Sequence, residues 1–182
     1  LDACDQLGML VMDENRRFGS DAETLSQLSH HIRRDRNHPS VFIWSLANEE
    51  QALQGTKAGA DVATAMQDPA HSLDPTRLCT VAMNHDWGKG ISTVIDVQGY
   101  NYFLGDMDRF HSAFPNQPSI GTETASLVSD RGIYADDPQN GFMGAYDVKK
   151  PNVGWGSPAQ EWWPHFNARP WAAGGFAWTG FD

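Results

Sequence analysis

Two glutamates stand where this sequence can do chemistry. Glu49 closes the stretch Val41-Phe42-Ile43-Trp44-Ser45-Leu46-Ala47-Asn48, and Glu123 closes Pro118-Ser119-Ile120-Gly121-Thr122. Each follows an apolar run that reads as a buried parallel strand, and a carboxylate at the C-terminal mouth of such a strand reads as catalytic. Paired acids of this kind serve glycosidic bond cleavage: one carboxyl, kept protonated, gives its proton to the departing oxygen, and the other, ionised, attacks or stabilises the anomeric carbon. The two environments must therefore differ. The apolar strand before Glu49, its neighbours Asn48 and Trp44 and the charge of Glu123 are expected to raise the pKa of Glu49 and keep it an acid. Ahead of Glu123, the small Gly121 is expected to leave room for a sugar against the backbone. The plainer reading of Glu49 and Glu50 is the polar start of a helix, and for Glu50 that reading is preferred.

The elements that must position these acids are legible as an alternation. Strands are expected at 9–13, 41–47, 78–83, 94–102, 119–122 and 175–178. Residues 1–8 read as the back half of a helix ending on Gly8. Ser20-Asp21-Ala22-Glu23 reads as a capping box opening a helix with Leu25, Leu28 and Ile32 on one face. Further helices are expected at 51–66 and 106–114. Another start is read at Ser157-Pro158-Ala159-Gln160, with Pro158 at the first helical position. Apolar strands alternating with helices indicate a parallel sheet covered by helices, either doubly wound or closed into a barrel. No strand is followed by a Gly-rich phosphate loop, so the barrel is favoured. Residues 127–156 lack a clear period and are read as a long loop draped beside the site.

Composition narrows the function classes. Thirteen Lys and Arg against 23 Asp and Glu give a net charge of −10, which repels nucleic acid and anionic membranes. No run of about 18 apolar residues is present to span a bilayer. The basic cluster Arg33, Arg34 and Arg36 falls at a helix end, where cations suit the dipole. Cys4 and Cys79 read as buried free thiols. The seven His show no metal-ligand spacing, His30 and His31 read as a helix-face pair far from the mouth, and no cofactor or metal is expected.

Arg36-Asn37-His38-Pro39-Ser40, three apolar residues, Trp44-Ser45, two residues and Asn48-Glu49 resemble the acid/base signature of glycoside hydrolase family 2 at every signature position. Leu10-Val11-Met12-Asp13-Glu14, Gly99-Tyr100-Asn101-Tyr102 and Gly174-Gly175-Phe176-Ala177-Trp178-Thr179-Gly180-Phe181-Asp182 follow the family's order. The resemblance covers essentially the whole chain. It implies an α/β fold, a partial TIM (β/α)8 barrel holding strands three to eight, with residues 1–182 a truncated catalytic domain that begins inside a domain. It also implies that Glu123 is the nucleophile and Glu49 the acid/base, with the carboxyls about 5–5.5 Å apart as retention of configuration requires. Asn48 would donate to the sugar 2-hydroxyl and Trp178 would form a sugar platform. Strand alternation puts Tyr100 and Tyr102 on one face, so both are read as substrate-binding candidates, with Tyr102 the first choice to hydrogen-bond the nucleophile and core packing the alternative for either. Glu14 is read as facing the site and Asp13 as structural. Large magnesium-dependent galactosidases carry a His shortly after Asp-Glu, where this chain has Asn15-Arg16-Arg17.

The closing Trp178-Thr179-Gly180-Phe181-Asp182 looks most like bacterial β-galactosidases. A β-glucuronidase or β-mannosidase of the same family is the alternative, and a non-catalytic sugar-binding scaffold is the reading from another class. A homo-oligomer is allowed, cellular location is left open, and a barrel lacking two strands is expected to turn over little substrate alone.

Overall fold

The computed structural model describes residues 1–126, 131–144 and 155–179. In chain order the elements are α1 (Asp2–Leu7), β1 (Val11–Glu14), α2 (Ala22–Asp35), β2 (Val41–Asn48), α3 (Lys57–Leu73), β3 (Leu78–Ala82), β4 (Val97–Asn101), α4 (Leu104–Ala113), β5 (Ser119–Thr124), α5 (Ala159–Asn167) and β6 (Ala172–Ala177). The chain divides into two compact units, Leu1–Gly99 and Tyr100–Asp182, the boundary falling inside β4.

In the first unit the strands lie parallel in sequence order. β1 pairs with β2, β2 with β3 and β3 with β4. Leu28 and Ile32 of α2 are buried where the helical period puts them, against Trp44, Leu46, Ala63 and Met66. Burial on both faces explains why β2 is apolar along its length rather than alternating. In the second unit β5 pairs parallel with β6, and Phe166 of α5 is buried. Arg169 clamps Asp108 through two bonds of 2.6 Å, tying the chain after α5 to α4.

Several local readings are corrected. The cap of α2 is Asp21, not Ser20: its carboxylate takes the Thr24 N–H at 3.0 Å and the Thr24 hydroxyl at 2.6 Å. The helix expected from residue 51 begins at Lys57, where the Thr56 hydroxyl accepts the Gly59 N–H, and it runs through Pro69 to Leu73. Residues 51–55 instead form turns, anchored by the wholly buried side chain of Gln54. Glu50 therefore opens a turn, its carbonyl accepting from the Leu53 and Gln54 N–H groups, and not a helix. β4 starts at Val97, after a 3-10 turn at Gly90–Thr93, because Asp96 accepts the Cys79 N–H with its side chain in place of a strand carbonyl. Pro158 is the N-cap of α5 rather than its first residue, and Ser157 makes no capping bond. Both thiols are free, yet only Cys79 is buried; Cys4 is half-buried. Of the long stretch 127–156, the described part includes turns and one antiparallel bridge between Asp137 and Phe142, and the rest lies outside the described residues.

Candidate active site

The candidate residues fall into two groups, one in each unit. In the first, β2 ends at Asn48 and the chain turns sharply: Glu49 has φ 48°, a left-handed backbone that a non-glycine residue adopts at a cost of about 1–3 kcal/mol. Its N–H still donates to Ala82 O at 2.9 Å, so the acid is fixed one residue beyond the strand by the ladder to β3. Asn48 and Glu49 are both half-buried. On the neighbouring strand Glu14 accepts the Ser45 hydroxyl at 2.7 Å. Glu14 is open to solvent on one side, but the protein wall behind it desolvates the carboxyl and raises its pKa; the Ser45 bond and the charge of Arg16 act the other way. Burial likewise raises the pKa of Glu50, opposed by Arg16.

Two expectations fail here. Trp44 does not stand beside Glu49. Its indole is buried, donates to Asp74 at 3.1 Å and meets His31 edge-on at 5.8 Å. His31, in turn, is not remote from the end of β1, for its Nε2 lies 2.9 Å from Asp13 and 3.4 Å from Asp35. Asp13, read as structural, is thus tied to α2 through His31. Asn15 turns back to bond the Arg17 carbonyl, so the position after Asp13-Glu14 holds its own loop.

A polar tie joins the loops after β2 and β3, and no motif spacing marks it. Gln54 donates to Asn84 at 2.9 Å and takes the Asn84 N–H at 3.0 Å, and His85 lies 2.8 Å from Gln54 and 3.1 Å from Gln51.

In the second unit β4 and β5 set the nucleophile candidate. The Tyr102 N–H donates to Glu123 O at 2.6 Å, and its phenol donates to Glu123 Oε2 at 2.6 Å. This double hold requires Tyr102 at φ 60° and Phe103 at φ 42°, and Ala125 beyond β5 is also left-handed at φ 52°. Left-handed non-glycine residues thus follow β2, β4 and β5, around both candidate acids, with Asp86 beyond β3 a further one, and each costs backbone strain that its surroundings must hold. Next to Glu123, the Thr122 hydroxyl donates to Asn101 at 2.6 Å and the Thr124 hydroxyl to Phe176 O at 2.7 Å, so both neighbours face away into bonded positions.

Tyr100 is corrected as a sugar-binding residue. It is wholly buried, packs edge-on against Phe110 of α4 at 6.0 Å, and has its pKa driven upward by burial, with Ser119 opposing. The strand ends at Asn101, so Tyr100 and Tyr102 do not share a face. Gly121 is corrected too. A side chain there would come within 2.7 Å of Phe166 and of Thr124, so its smallness admits α5 rather than a sugar. Trp178, directly after β6, is 51% exposed, and its N–H is held by Thr124 O at 2.7 Å. Trp155, which the sequence reading passed over, lies 4.7 Å from the Tyr102 ring. Together with Phe103, Asp106, Arg109 and Glu161 it lines a cleft of about 430 Å³.

A carboxylate locked by a phenol at the end of a parallel strand, in an α/β chain with this signature, defines a class. The family model described as Glycosyl hydrolases family 2, TIM barrel domain, matches residues 18–142, and the chain belongs to that family. The β-galactosidase of Bacteroides ovatus is 29% identical over 242 residues, covering 100% of this chain and 28% of that enzyme. The β-glucuronidase of Sus scrofa is 26% identical over 178 residues, covering 80% of this chain and 27% of that enzyme. A solved structure of a glycosyl hydrolase family 2 member from Bacteroides cellulosilyticus matches with a TM-score of 0.72 and 26% identity, over 100% of this chain and 22% of that one. The chain spans only about a quarter of the length of these curated relatives. The six strands among the described residues are part of a TIM barrel.

Proposed function

We propose that the protein is a retaining β-glycosidase in which Glu123 is the nucleophile and Glu49 the acid/base, with a β-galactoside as substrate. The observation that carries the reading is the Tyr102 phenol on Glu123 Oε2 at 2.6 Å. A donor on one carboxylate oxygen holds the group ionised and turned, leaving the other oxygen to attack the anomeric carbon. Glu49 gives its proton to the departing oxygen as that bond breaks. It then takes a proton from the water that cleaves the glycosyl–Glu123 ester, and two inversions give net retention. Asn48 is assigned to the sugar 2-hydroxyl and Trp178 to an apolar sugar face; Glu14 is assigned to a substrate hydroxyl. The galactoside rests on the closing Trp178-Thr179-Gly180-Phe181-Asp182 and on the relatives named β-galactosidase, while relatives named β-glucuronidase make the glucuronide its rival.

A panel of aryl β-galactoside, glucuronide, mannoside and glucoside tests the substrate, the galactoside being expected to give the highest kcat/KM. A 2-deoxy-2-fluoro glycoside of the preferred sugar tests the nucleophile. Peptide mass spectrometry is expected to find the adduct on Glu123, and an adduct on another residue rejects the assignment.

A further inference from the structure

At the end of the sheet away from Glu49, three elements bring together a histidine, a thiol and a carboxylate that are far apart in sequence. His71 is in the last turn of α3, Cys79 is the second residue of β3, and Asp96 stands just ahead of β4. His71 Nε2 lies 2.7 Å from Asp96 Oδ2, which also accepts the Cys79 N–H at 2.8 Å. The available ligand atoms of all three residues lie within 4.8 Å of one another. Cys79 is wholly buried, whereas the His71 side chain is 38% exposed, so the cluster has a dry wall and an open side.

We propose that His71, Cys79 and Asp96 form a site for a thiophilic divalent cation, Zn2+ being the best fit, with water in the fourth position on the His71 side. Nitrogen, sulfur and oxygen donors at this spacing suit a tetrahedral zinc ion, whereas calcium and magnesium take oxygen ligands and avoid a thiol. Charge supports the same choice. A neutral imidazole, a thiolate and a carboxylate balance a dication, and the thiol proton passes to solvent when the metal enters. Burial pushes the Cys79 thiol up to about 12, with the charges of Asp96 and Asp74 acting in the same direction. A cation reverses both electrostatic contributions.

The donors must close on the ion: a zinc–sulfur bond of about 2.3 Å sets the Cys79 sulfur roughly 3.5 Å from the nitrogen and oxygen, inside the 4.8 Å that bounds the group. Bonds of about 2.0 Å from zinc to nitrogen and oxygen set those two atoms roughly 3.3 Å apart, so the His71–Asp96 contact opens by about half an ångström. A partly exposed residue in the last turn of a helix can move that far. The Cys79 N–H stays on Asp96 as the outer bond that orients the ligand. A metal held there joins the end of α3 to the starts of β3 and β4, and so acts on stability rather than on the acids at the other end of the strands.

Titration with Co2+ tests this directly, because only a thiolate ligand gives a sulfur-to-cobalt charge-transfer band in the near ultraviolet. The band is expected to saturate at one Co2+ per chain, to be displaced by Zn2+, to vanish in Cys79→Ser and to persist in Cys4→Ser. The last two arms separate this cluster from Asp2, Asp5 and His38 beside Cys4, and from Asp13, His31 and Asp35, which offer no thiol. Since a change at buried Cys79 can disturb folding, His71→Gln is the second variant. Zn2+ is expected to raise the Tm of the wild type by several degrees and to leave the variant's Tm unmoved. A missing charge-transfer band, a band that survives Cys79→Ser, or equal Tm shifts in wild type and His71→Gln would each overturn the site.

Discussion

Tyr102 holds Glu123 twice, through its N–H and its phenol, and these two bonds make opposite predictions for substitution. Tyr102→Phe keeps the backbone bond and removes only the phenol donor. A hydrogen bond to a charged group is worth about 1.5–3 kcal/mol, so kcat/KM is expected to fall by roughly ten- to a hundredfold while the circular dichroism and Tm stay near those of the wild type. An unchanged kcat/KM would show that the phenol does not serve the nucleophile. For Glu49→Ala, turnover of substrates with poor leaving groups is expected to fall far more than that of activated aryl glycosides, which need little protonation. Azide is expected to restore turnover and yield a β-glycosyl azide; an equal loss on all leaving groups with no rescue rejects the acid/base role. At this scale the placement of Glu49 and Glu123 at strand ends and the Tyr102 bond to Glu123 were legible, because apolar runs and a motif mark those positions, while the roles of these residues rest on the proposal. Trp44 and Tyr100 were misread because a strand buried on both faces has no alternation to say which way a side chain points. Trp155 was missed because it lies in a stretch without a period, where only three-dimensional packing brings it to Tyr102.

Among the elements, α5 packs closely over β5 and β6. Phe166 sits over Gly121 and Gly175, and an added methyl at either glycine would lie within 2.7 Å of its ring. Gly121→Ala is therefore expected to cost about 1–3 kcal/mol in urea unfolding, the usual penalty of overpacking a core. Phe166→Leu vacates the ring position, so the double variant is expected to be more stable than the two single losses summed. Additive losses would show that the equally close Thr124 methyl, and not the Phe166 ring, sets the penalty. Six strands and their order with the helices were legible in the sequence, since apolar runs and helical periods are local signals. Helix starts were less so. Thr56 rather than Gln51 opens α3 because Gln54 is drawn into bonds with Asn84 and His85, contacts some thirty residues distant. The grouping of His71, Cys79 and Asp96 was equally hidden, for its members come from three elements and no motif spacing joins them.

At the scale of the molecule, several acids among the described residues have pKa values displaced by their surroundings, and the displacements run in two opposite directions, which sorts these acids into two sets. Asp74 lies at the centre of the first set: burial pushes its pKa up, but bonds from Thr76, Arg77 and Trp44 outweigh that and bring it down to about 2. Arg77 also reaches the carbonyls of Arg36, His38 and Val41, so the pair joins the end of α3 to the approach to β2. Asp5, Asp35 and Asp108 are lowered as well, chiefly by bonds from Ser40, Arg34 and Arg169 respectively. Glu14 and Glu50, beside the candidate acid, are instead raised by burial, so their ionisation opposes folding where that of the first set favours it. A depressed folded pKa contributes stability that is present above the unfolded value, about 3.9 for an aspartate, and is lost as pH falls through the folded value. For Asp74 the window runs from roughly pH 4 down to pH 2, and the linked stability is on the order of 2 kcal/mol. Asp74→Asn keeps the shape but leaves Arg77 without its carboxylate, so at pH 7 it is expected to unfold at lower urea by about 2–4 kcal/mol. As pH falls through that window the wild type loses the Asp74 contribution and the variant has none to lose, so the gap between their urea midpoints is expected to narrow. If the two pH profiles ran parallel from pH 7 to pH 2, the buried Asp74–Arg77 pair would not be the acid-sensitive joint of this unit.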